Sequence, residues 1–462
     1  MNATETLSVI ILAAGKGTRM KSNKPKVLQT LANKPLLAHV LDTCGTMAVN
    51  KTIVVYGFGG EQVQSAMANY DISWVEQTEQ LGTGHAVKVT LDDLPEDGKS
   101  LILYGDVPLV SSETLSKLEE ANDQGISMLT LTVDNPFGLG RIKRDAEGKV
   151  LAIVEQKDAD EEEKLIKEIN SGIYCVDNAL LHKYLPNLSN DNAQQEYYLT
   201  DIVKMAVADD IDIKAIEPKY DFEIEGVNDR QQLAILERKW QAKLVNDLQV
   251  AGVQFADPSR VDIRANANGD SEITVGQDVF VDANVIFEGN CVIGNNVQID
   301  AGSVIKHSQI GDNTHIKVNC LIDNAVVGRN AAIGPFAHLR PETVLADDTK
   351  VGNFVETKKA NIGKGSKVNH LSYIGDAKIG KEVNIGAGTI TCNYDGVNKS
   401  LTQIDDNAFI GSNSSLVAPV KIGKMATVGA GSVITKACPD NKLSLTRAKQ
   451  ATINSWKRPV KK

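Results

Sequence analysis

The sequence predicts two folds in one chain. An α/β domain with a Rossmann-like, mixed sheet is expected over residues 1–229, a helical linker over 230–250, and a parallel β-helix of hexapeptide repeats over 251–462. Three observations lead there. A chain of 462 residues is too long for one ordinary hydrophobic core. Near its start a β-branched apolar run empties into a basic, glycine-containing loop. In its second half aliphatic residues recur at every sixth position.

The first run, residues 8–14, suits a buried parallel strand because it is apolar throughout rather than alternating. It leads into Gly15-Lys16-Gly17-Thr18-Arg19-Met20, then Lys24-Pro25-Lys26 and a stretch of helical pattern. Glycines let a backbone approach phosphate oxygens, and the basic side chains neutralise them. The spacing matches neither a Walker loop nor a complete G-x-G-x-x-G. A glycine-broken polar turn, Glu76 to His85 with Gln77, Gly82 and Thr83, is placed to hold a base. A second strand, Ser100–Tyr104, ends at Gly105-Asp106, which puts a carboxylate on the sheet edge where open α/β folds bind ligands. Asp106 is therefore a candidate ligand for Mg²⁺ beside a triphosphate. Residues 223–228 supply further oxygen donors. Residues 229–250 read as one long polar helix with Leu233, Leu236, Trp240, Leu244 and Leu248 on a stripe, an arm between domains.

Beyond the arm the six-step series runs through Val281, Phe287, Ile293, Ile299 and Ile305, and after short steps continues as far as Ile434. Such a period fits neither helix nor amphipathic strand. It fits a triangular solenoid, with each hexapeptide forming one side, the aliphatic residue inward and a small residue at the corner. A single coil cannot fold alone, so the coils must stack. The series breaks between Ile385 and Ile404, where a polar loop, Thr391 to Lys399, is placed as a binding loop.

The net charge of −10 argues against nucleic acid as a partner, since phosphate polymers need a basic surface. The charge is divided unevenly, with 25 basic against 39 acidic residues (net −14) over 1–252 and 24 against 20 (net +4) over 253–462. Six singly spaced cysteines predict free, buried thiols in a reducing compartment. Leu7–Ala14 is too short to span a bilayer and lacks the basic flank of a signal peptide, so a cytoplasmic protein with no membrane insertion is expected.

Leu12-Ala13-Ala14-Gly15-x-Gly17-Thr18-Arg19-Met20 with Pro25-Lys26 resembles the signature of sugar-nucleotide pyrophosphorylases. The hexapeptides resemble those of the left-handed β-helix acyltransferases, a hand opposite to the usual crossover rule. In this order, joined by a helical arm, the halves resemble the bacterial family of bifunctional N-acetylglucosamine-1-phosphate uridylyltransferases / glucosamine-1-phosphate N-acetyltransferases. The resemblance implies an N-terminal nucleotidyltransferase domain, a homotrimer, and substrates that are small molecules: UTP, acetyl-CoA, glucosamine-1-phosphate and N-acetylglucosamine-1-phosphate. It implies a product, UDP-N-acetylglucosamine, that feeds peptidoglycan and lipopolysaccharide synthesis.

Carried over by residue, the resemblance puts Ala13, Ala14, Gly15, Gln77, Gly82 and Thr83 on the nucleotide, and Leu12, Tyr104 and Gly105 among the residues that bind nucleotide or sugar. Arg19 and Lys26 would act on the phosphates, Asp106 and Asn228 would hold Mg²⁺, and Gly140, Glu155 and Asn170 would contact the acetylated sugar. For acetyl transfer, His370-Leu371-Ser372-Tyr373-Ile374-Gly375-Asp376 matches the family pattern, with His370 as general base. Arg340, Lys358, Tyr373, Asn384 and Lys399 match positions that hold the sugar phosphate. Ala387, Asn393, Tyr394, Ser412, Ala430 and Arg447 match the acetyl-CoA side. The loop at 391–399 would reach across from a neighbouring subunit.

Two other readings share these domain types. A non-catalytic regulatory protein could dispense with Arg19, Lys26, Asp106 or His370, all of which stand here. A pyrophosphorylase for another sugar does not explain His370-Leu-x-Tyr or the loop at 391–399. A metal-dependent hydratase would need a close histidine pair, which His307, His315, His338 and His370 do not form in sequence.

Overall fold

The computed structural model describes residues 6–123, 125–266, 269–459 and 461. The chain divides into two compact units, residues 1–240 and 241–462, and the division falls inside the arm helix, Arg230–Val250. Its first half packs Leu236 in a small cluster with Met20, Leu31 and Phe222. Its second half packs Val245 and Leu248 into the core of the other unit.

In unit 1 the main strands are β1 (Leu7–Ala13), β2 (Lys51–Tyr56), β3 (Ser73–Glu76), β4 (Lys99–Tyr104), β5 (Ile126–Thr132), β6 (Arg141–Arg144), β7 (Val150–Val154), β8 (Glu168–Asp177) and β9 (Ile213–Ile216). Their order is β9-β5-β8-β4-β1-β2-β3, with β6 and β7 as a side ladder on β8. The first run thus forms a parallel strand between β4 and β2, one residue earlier than the sequence suggested. The sheet is mixed because β8 runs antiparallel to both its neighbours. Side chains of β1 alternate between two cores: Ile10 and Leu12 join one, while Val9, Ile11 and Ala13 join the other. Both faces are therefore covered, which explains a strand with no polar alternation. Truncating Ile10 or Ile11, both wholly buried, would cost about 2–5 kcal/mol.

Unit 2 is a left-handed parallel β-helix, whose described residues form one 11-stranded sheet and one 17-stranded sheet. Successive coils stack Val281 on Ile299, Ile316, Ile333, Val351, Val368 and Ile385, 17 or 18 residues apart. All of these are buried, as are the other aliphatic residues of the six-step series from Val281 to Ile434. Val275, which stands six residues before Val281 and begins the series, is only partly buried.

The corners correct the sequence reading. The residue with left-handed backbone usually falls three places after the inward aliphatic, and asparagine fills it more often than glycine: Asn284, Asn296, Asn313, Asn319, Asn330, Asn407 and Asn413 all have φ between 54° and 60°. Asparagine tolerates this region because its short amide bonds locally. Here the amides also bond between coils, Asn296 to Asn313 at 3.2 Å and Asn313 to Asn330 at 3.2 Å. Small residues that directly follow the aliphatic, such as Gly294 and Gly311, serve the close stacking of coils instead, since a Cβ there would meet the next coil within 2.5–2.7 Å.

Two positions of the inward ladder Leu339-Thr357-Ile374-Thr391-Leu416 are threonines, both buried. They lie where the six-step series skips. Thr357 Oγ1 lies 3.0 Å from Thr343 Oγ1, and Thr391 Oγ1 accepts from the Gly375 N–H at 2.7 Å. Five cysteines are buried and Cys392 is half-buried, and all six are free thiols. Among the described residues no helix is long and apolar enough to cross a membrane.

Candidate active sites

In unit 1 the carboxyl ends of β1, β4 and β3 open on one edge of the sheet. A cleft of about 360 Å³ lies there, lined by Leu12, Ala13, Ala14, Gly15, Lys26, Gln77, Gly82, Thr83, Tyr104 and Asp106, ten of the residues expected at the uridylyltransferase site. Gly17 has φ +58, and a Cβ on it would sit 2.6 Å from the Cβ of Lys26. This glycine lets the loop fold down onto Lys26. Gly82, at φ +108, brings the second turn against the carbonyl of Tyr197, where a Cβ would approach to 2.6 Å.

Gln77 is buried, and its amide nitrogen lies 3.1 Å from both the Gly82 carbonyl and His85 Nδ1. Its donors are engaged, so what it offers a ligand is an acceptor oxygen. Thr83 Oγ1 accepts the Leu199 N–H at 3.2 Å, which ties the turn to the 197–199 segment.

The charged groups converge beside Asp106. Lys26 forms an ion pair with Asp106, and its Nζ lies 3.4 Å from Asn228 Oδ1. Arg19 donates to the same oxygen at 2.8 Å. Asn228 is held there by its neighbours: the Val227 N–H bonds the Asp106 carbonyl at 2.9 Å, and Asp229 caps the arm helix by accepting from Gln231 and Gln232. Asp106 and Asn228 thus present two oxygens at a point where a cation, the Lys26 ammonium, already sits. Among the described residues no group of three or more histidines, cysteines and carboxylates is placed to hold a metal ion. Two hard oxygen donors suit Mg²⁺, which completes its shell with water and substrate phosphates.

A second cleft, about 520 Å³, shares Tyr104 and Asp106 with the first and adds Asn170 and Asn228. Burial pushes the Tyr104 phenol well above its ordinary pKa, helped by the charges of Asp106 and Glu155, so it stays protonated. Gly140 and Glu155 do not line this cleft directly. They stand beside Asn170, whose N–H bonds the Gly140 carbonyl at 2.9 Å, and a Cβ on Gly140 would lie 3.5 Å from the Glu155 carboxylate. Burial raises the Glu155 pKa, with Asp158 and Asp201 adding to it against Thr200 and Arg141.

In unit 2 the expected residues fall into two groups on neighbouring sides of the prism, divided by the corner at Leu371 (φ +49). On one side Arg340 donates to Glu356 at 2.7 Å, Glu356 stacks on Tyr373, and Lys358 stacks on Gly375. The Lys399 ammonium beside Lys358 lowers the Lys358 pKa. Two like charges side by side favour an anion between them. Asn393 is buried and bonds Asp376, which ties the 391–399 loop to this side.

On the other side His370 stands at the end of Lys367–His370, and Asn384 is in the next strand of the same sheet. The carbonyls of His370, Ala387 and Ser412 accept from Gly388, Asn413 and Gly431 at 3.3, 2.7 and 2.8 Å, so His370, Ala387, Ser412 and Ala430 form a column up successive coils. The Arg447 side chain runs past Gly429 and Gly431 at its far end. Asn384 therefore lies with the His370 group rather than with Arg340 and Lys358. Tyr394 remains in the exposed loop, bridged to Lys399.

Sequence reading missed several residues. Gln80 lines the first cleft and donates to the Ala14 carbonyl at 2.8 Å, bracing the glycine loop, and Glu196 lines the same cleft. Asn353 Oδ1 lies 2.7 Å from His370 Nδ1. With the ring N–H on Nδ1, the Nε2 lone pair is free to take a proton. Asn353 precedes His370 by 17 residues, one coil, and that spacing is the signal that could have found it.

Comparison with known proteins matches residues 9–163 to a MobA-like NTP transferase domain, 269–362 to a GMPPB C-terminal domain, and 402–436 to a hexapeptide repeat of succinyl-transferase. The chain is 73% identical over 457 residues to the bifunctional protein GlmU of Psychrobacter sp. PRwf-1, covering 99% of both chains. It is 70% identical to the bifunctional protein GlmU of Psychrobacter arcticus, with 99% of each chain covered. Identity to the bifunctional protein GlmU of Acinetobacter baumannii AYE is 58%, over 98% of this chain and 99% of the relative. With a nucleotidyltransferase unit ahead of a hexapeptide-repeat acetyltransferase unit, and matched along nearly its whole length at this identity, the chain belongs to the family of bifunctional GlmU enzymes.

Proposed function

We propose that unit 2 acetylates glucosamine-1-phosphate from acetyl-CoA, and that unit 1 then joins the N-acetylglucosamine-1-phosphate to UTP, giving UDP-N-acetylglucosamine and pyrophosphate. The observation that carries this reading is the meeting of Arg19, Lys26, Asp106 and Asn228 where the two clefts of unit 1 share a wall.

In unit 1 the nucleotide lies in the smaller cleft, where the acceptor oxygen of Gln77 suits the N3–H of uracil. The acetylated sugar lies in the larger, near Asn170. A sugar-phosphate oxygen attacks the α-phosphorus of UTP as the bond to the bridging oxygen breaks, and pyrophosphate leaves. No side-chain nucleophile takes part. Arg19 and Lys26 hold the phosphates and oppose their charge. Mg²⁺ held by Asp106 and Asn228 would supply further charge neutralisation at the phosphates.

In unit 2 His370 Nε2 takes a proton as the sugar amine attacks the thioester carbonyl, and coenzyme A leaves as the thiol. Lys358 and Lys399 hold the sugar phosphate, while Ala387, Ser412, Ala430 and Arg447 receive the coenzyme. Asn393 and Tyr394 act from the loop. We read the assembly as a homotrimer. Phe336 and Phe354 stack at 5.3 Å with 46% and 55% exposure, and Leu371 is 61% exposed. All three occupy left-handed corners that asparagine fills elsewhere, a strained and exposed apolar stripe beside His370 that a second copy of the chain would cover. Free thiols throughout support a cytoplasmic location.

The test mixes glucosamine-1-phosphate, acetyl-CoA, UTP and Mg²⁺ with the full chain. Both free thiol and pyrophosphate should appear, and omitting acetyl-CoA should stop both. Pyrophosphate without acetyl-CoA would sink the ordering of the two reactions.

A further inference from the structure

Arg141 is one of the largest wholly buried side chains in the molecule, 2% exposed, and among the described residues its guanidinium is held by neutral oxygens rather than by an ion pair. A buried charge held in no ion pair is expensive: Glu155 is near enough for Arg141 to lower its pKa but is not at ion-pair distance, and a methionine would fill the same space without that cost. What the guanidinium touches is a turn. Its Nη1 donates to the Leu139 carbonyl, and its Nη2 donates to Gln156 Oε1 at 2.7 Å. The same Gln156 oxygen accepts the Gly138 N–H at 3.0 Å, and Gly138 has φ +86. The backbone of Arg141 pairs with Val154 on β7 and Ile169 on β8. One step along these three strands stand Gly140, Glu155 and Asn170, which the Asn170 N–H and the close approach of Gly140 to Glu155 hold together.

We propose that Arg141 is a positioning residue for the sugar end of the uridylyltransferase site, fixing the 138–140 turn so that Gly140, Glu155 and Asn170 present one surface to the N-acetylated hexose. The proposal rests on the reading of those three residues as the sugar subsite. A planar fork that reaches a carbonyl and an amide oxygen at once is what the task needs, and lysine, with a single point charge, cannot span both.

Steady-state uridylyl transfer by the full chain tests this, with Arg141→Met, Arg141→Lys, Gln156→Ala and Gln156→Glu variants. Arg141→Met and Arg141→Lys should raise KM for N-acetylglucosamine-1-phosphate by about 10-fold or more, while KM for UTP stays within about twofold. Gln156→Ala should move the sugar KM the same way, and Gln156→Glu, which keeps the acceptor oxygen, should restore it. Acetyl transfer should be unchanged throughout. Sugar and UTP KM values rising together, or a sugar KM unmoved in Arg141→Met, would overturn the proposal. If Arg141→Met does not fold, the two Gln156 variants decide, and equal sugar KM values in them overturn it. Asn170→Ala separates the two levels. A sugar KM unchanged there would overturn the subsite reading and the proposal with it. A raised KM in Asn170→Ala beside an unchanged one in Arg141→Met would overturn the proposal alone.

Discussion

Replacing Gly17 with alanine should silence one reaction and spare the other. Gly17 has φ 58° and ψ 37°, the left-handed region, which costs an alanine about 1–2 kcal/mol. The new methyl would also stand 2.6 Å from the Lys26 Cβ, whereas non-bonded carbons settle at about 3.5–4.0 Å. Something must move by roughly 1 Å, and the movement falls on the backbone that carries Lys26. Its ammonium would leave the point shared with Asp106 and Asn228. Misplacement of that size costs on the order of 10²-fold in rate. We therefore expect the kcat of uridylyl transfer, followed as pyrophosphate release, to fall by about 100-fold, with acetyl transfer, followed as free thiol, unchanged. Gly15→Ala is the control, because a Cβ there meets nothing within 4 Å, so it should act on KM for UTP rather than on Lys26. A Gly17→Ala enzyme with uridylyl kcat near wild type would refute the claim that close loop packing places Lys26.

Other outcomes follow from the same geometry. His370→Ala should cut acetyl transfer by about 10²–10⁴-fold and spare uridylyl transfer, and Asp106→Ala should do the reverse; a folded variant that lost both reactions would refute two separate sites. Asn353→Ala frees the His370 ring, so acetyl transfer should fall by a smaller factor than in His370→Ala, and an equal loss would mean that Asn353 does more than orient the ring. Burial lowers the His39 pKa from 6.5 to about 4, so the folded state resists protonation that the unfolded chain accepts. The stability this represents is present above about pH 6.5 and is lost as pH falls toward about 4, with about 2 kcal/mol gone by about pH 5. Urea titrations followed by tryptophan fluorescence should show His39→Gln losing about 2 kcal/mol less than wild type between about pH 7.5 and pH 5, and equal losses would contradict the assignment.

Residues whose chemistry is tied to a local run were legible in the sequence. Gly15, Arg19 and Lys26 follow a strand directly, and the hexad series marks the inward face of the solenoid because every coil repeats one demand. Partners one coil apart were not, since Asn353 and His370 meet only once the register of 17 is known. Arg141 also escaped notice, because a lone arginine in a strand looks like a surface charge until its burial is seen. The asparagine corners were misread because the six-step count locates the inward residue, while the left-handed turn is set by backbone geometry three places on. Thr357 and Thr391 broke the aliphatic series for a physical reason: the ladder gives up apolar packing beneath the site to bond a side-chain hydroxyl and a backbone N–H there.

The loop after Thr391 has a consequence for how the β-helix tolerates change. Below it Val368 stacks on Ile385 at a distance of 17 residues; across it Ile385 stacks on Ile410 at 25, and above it Ile410 stacks on Val428 at 18. The excess over one coil is eight residues, matching the span 393–400, whose ends are already closed by the bond from the Ser400 N–H to the Asn393 carbonyl at 2.8 Å. The solenoid thus carries this segment as a parenthesis in its backbone, and every later coil resumes the register as though the segment were absent. Loop length and loop chemistry are therefore free to vary without disturbing the stack. Excising the eight residues should leave a folded β-helix that has lost acetyl transfer, a separation of scaffold from activity that a doubly wound sheet, whose loops also set strand order, does not offer.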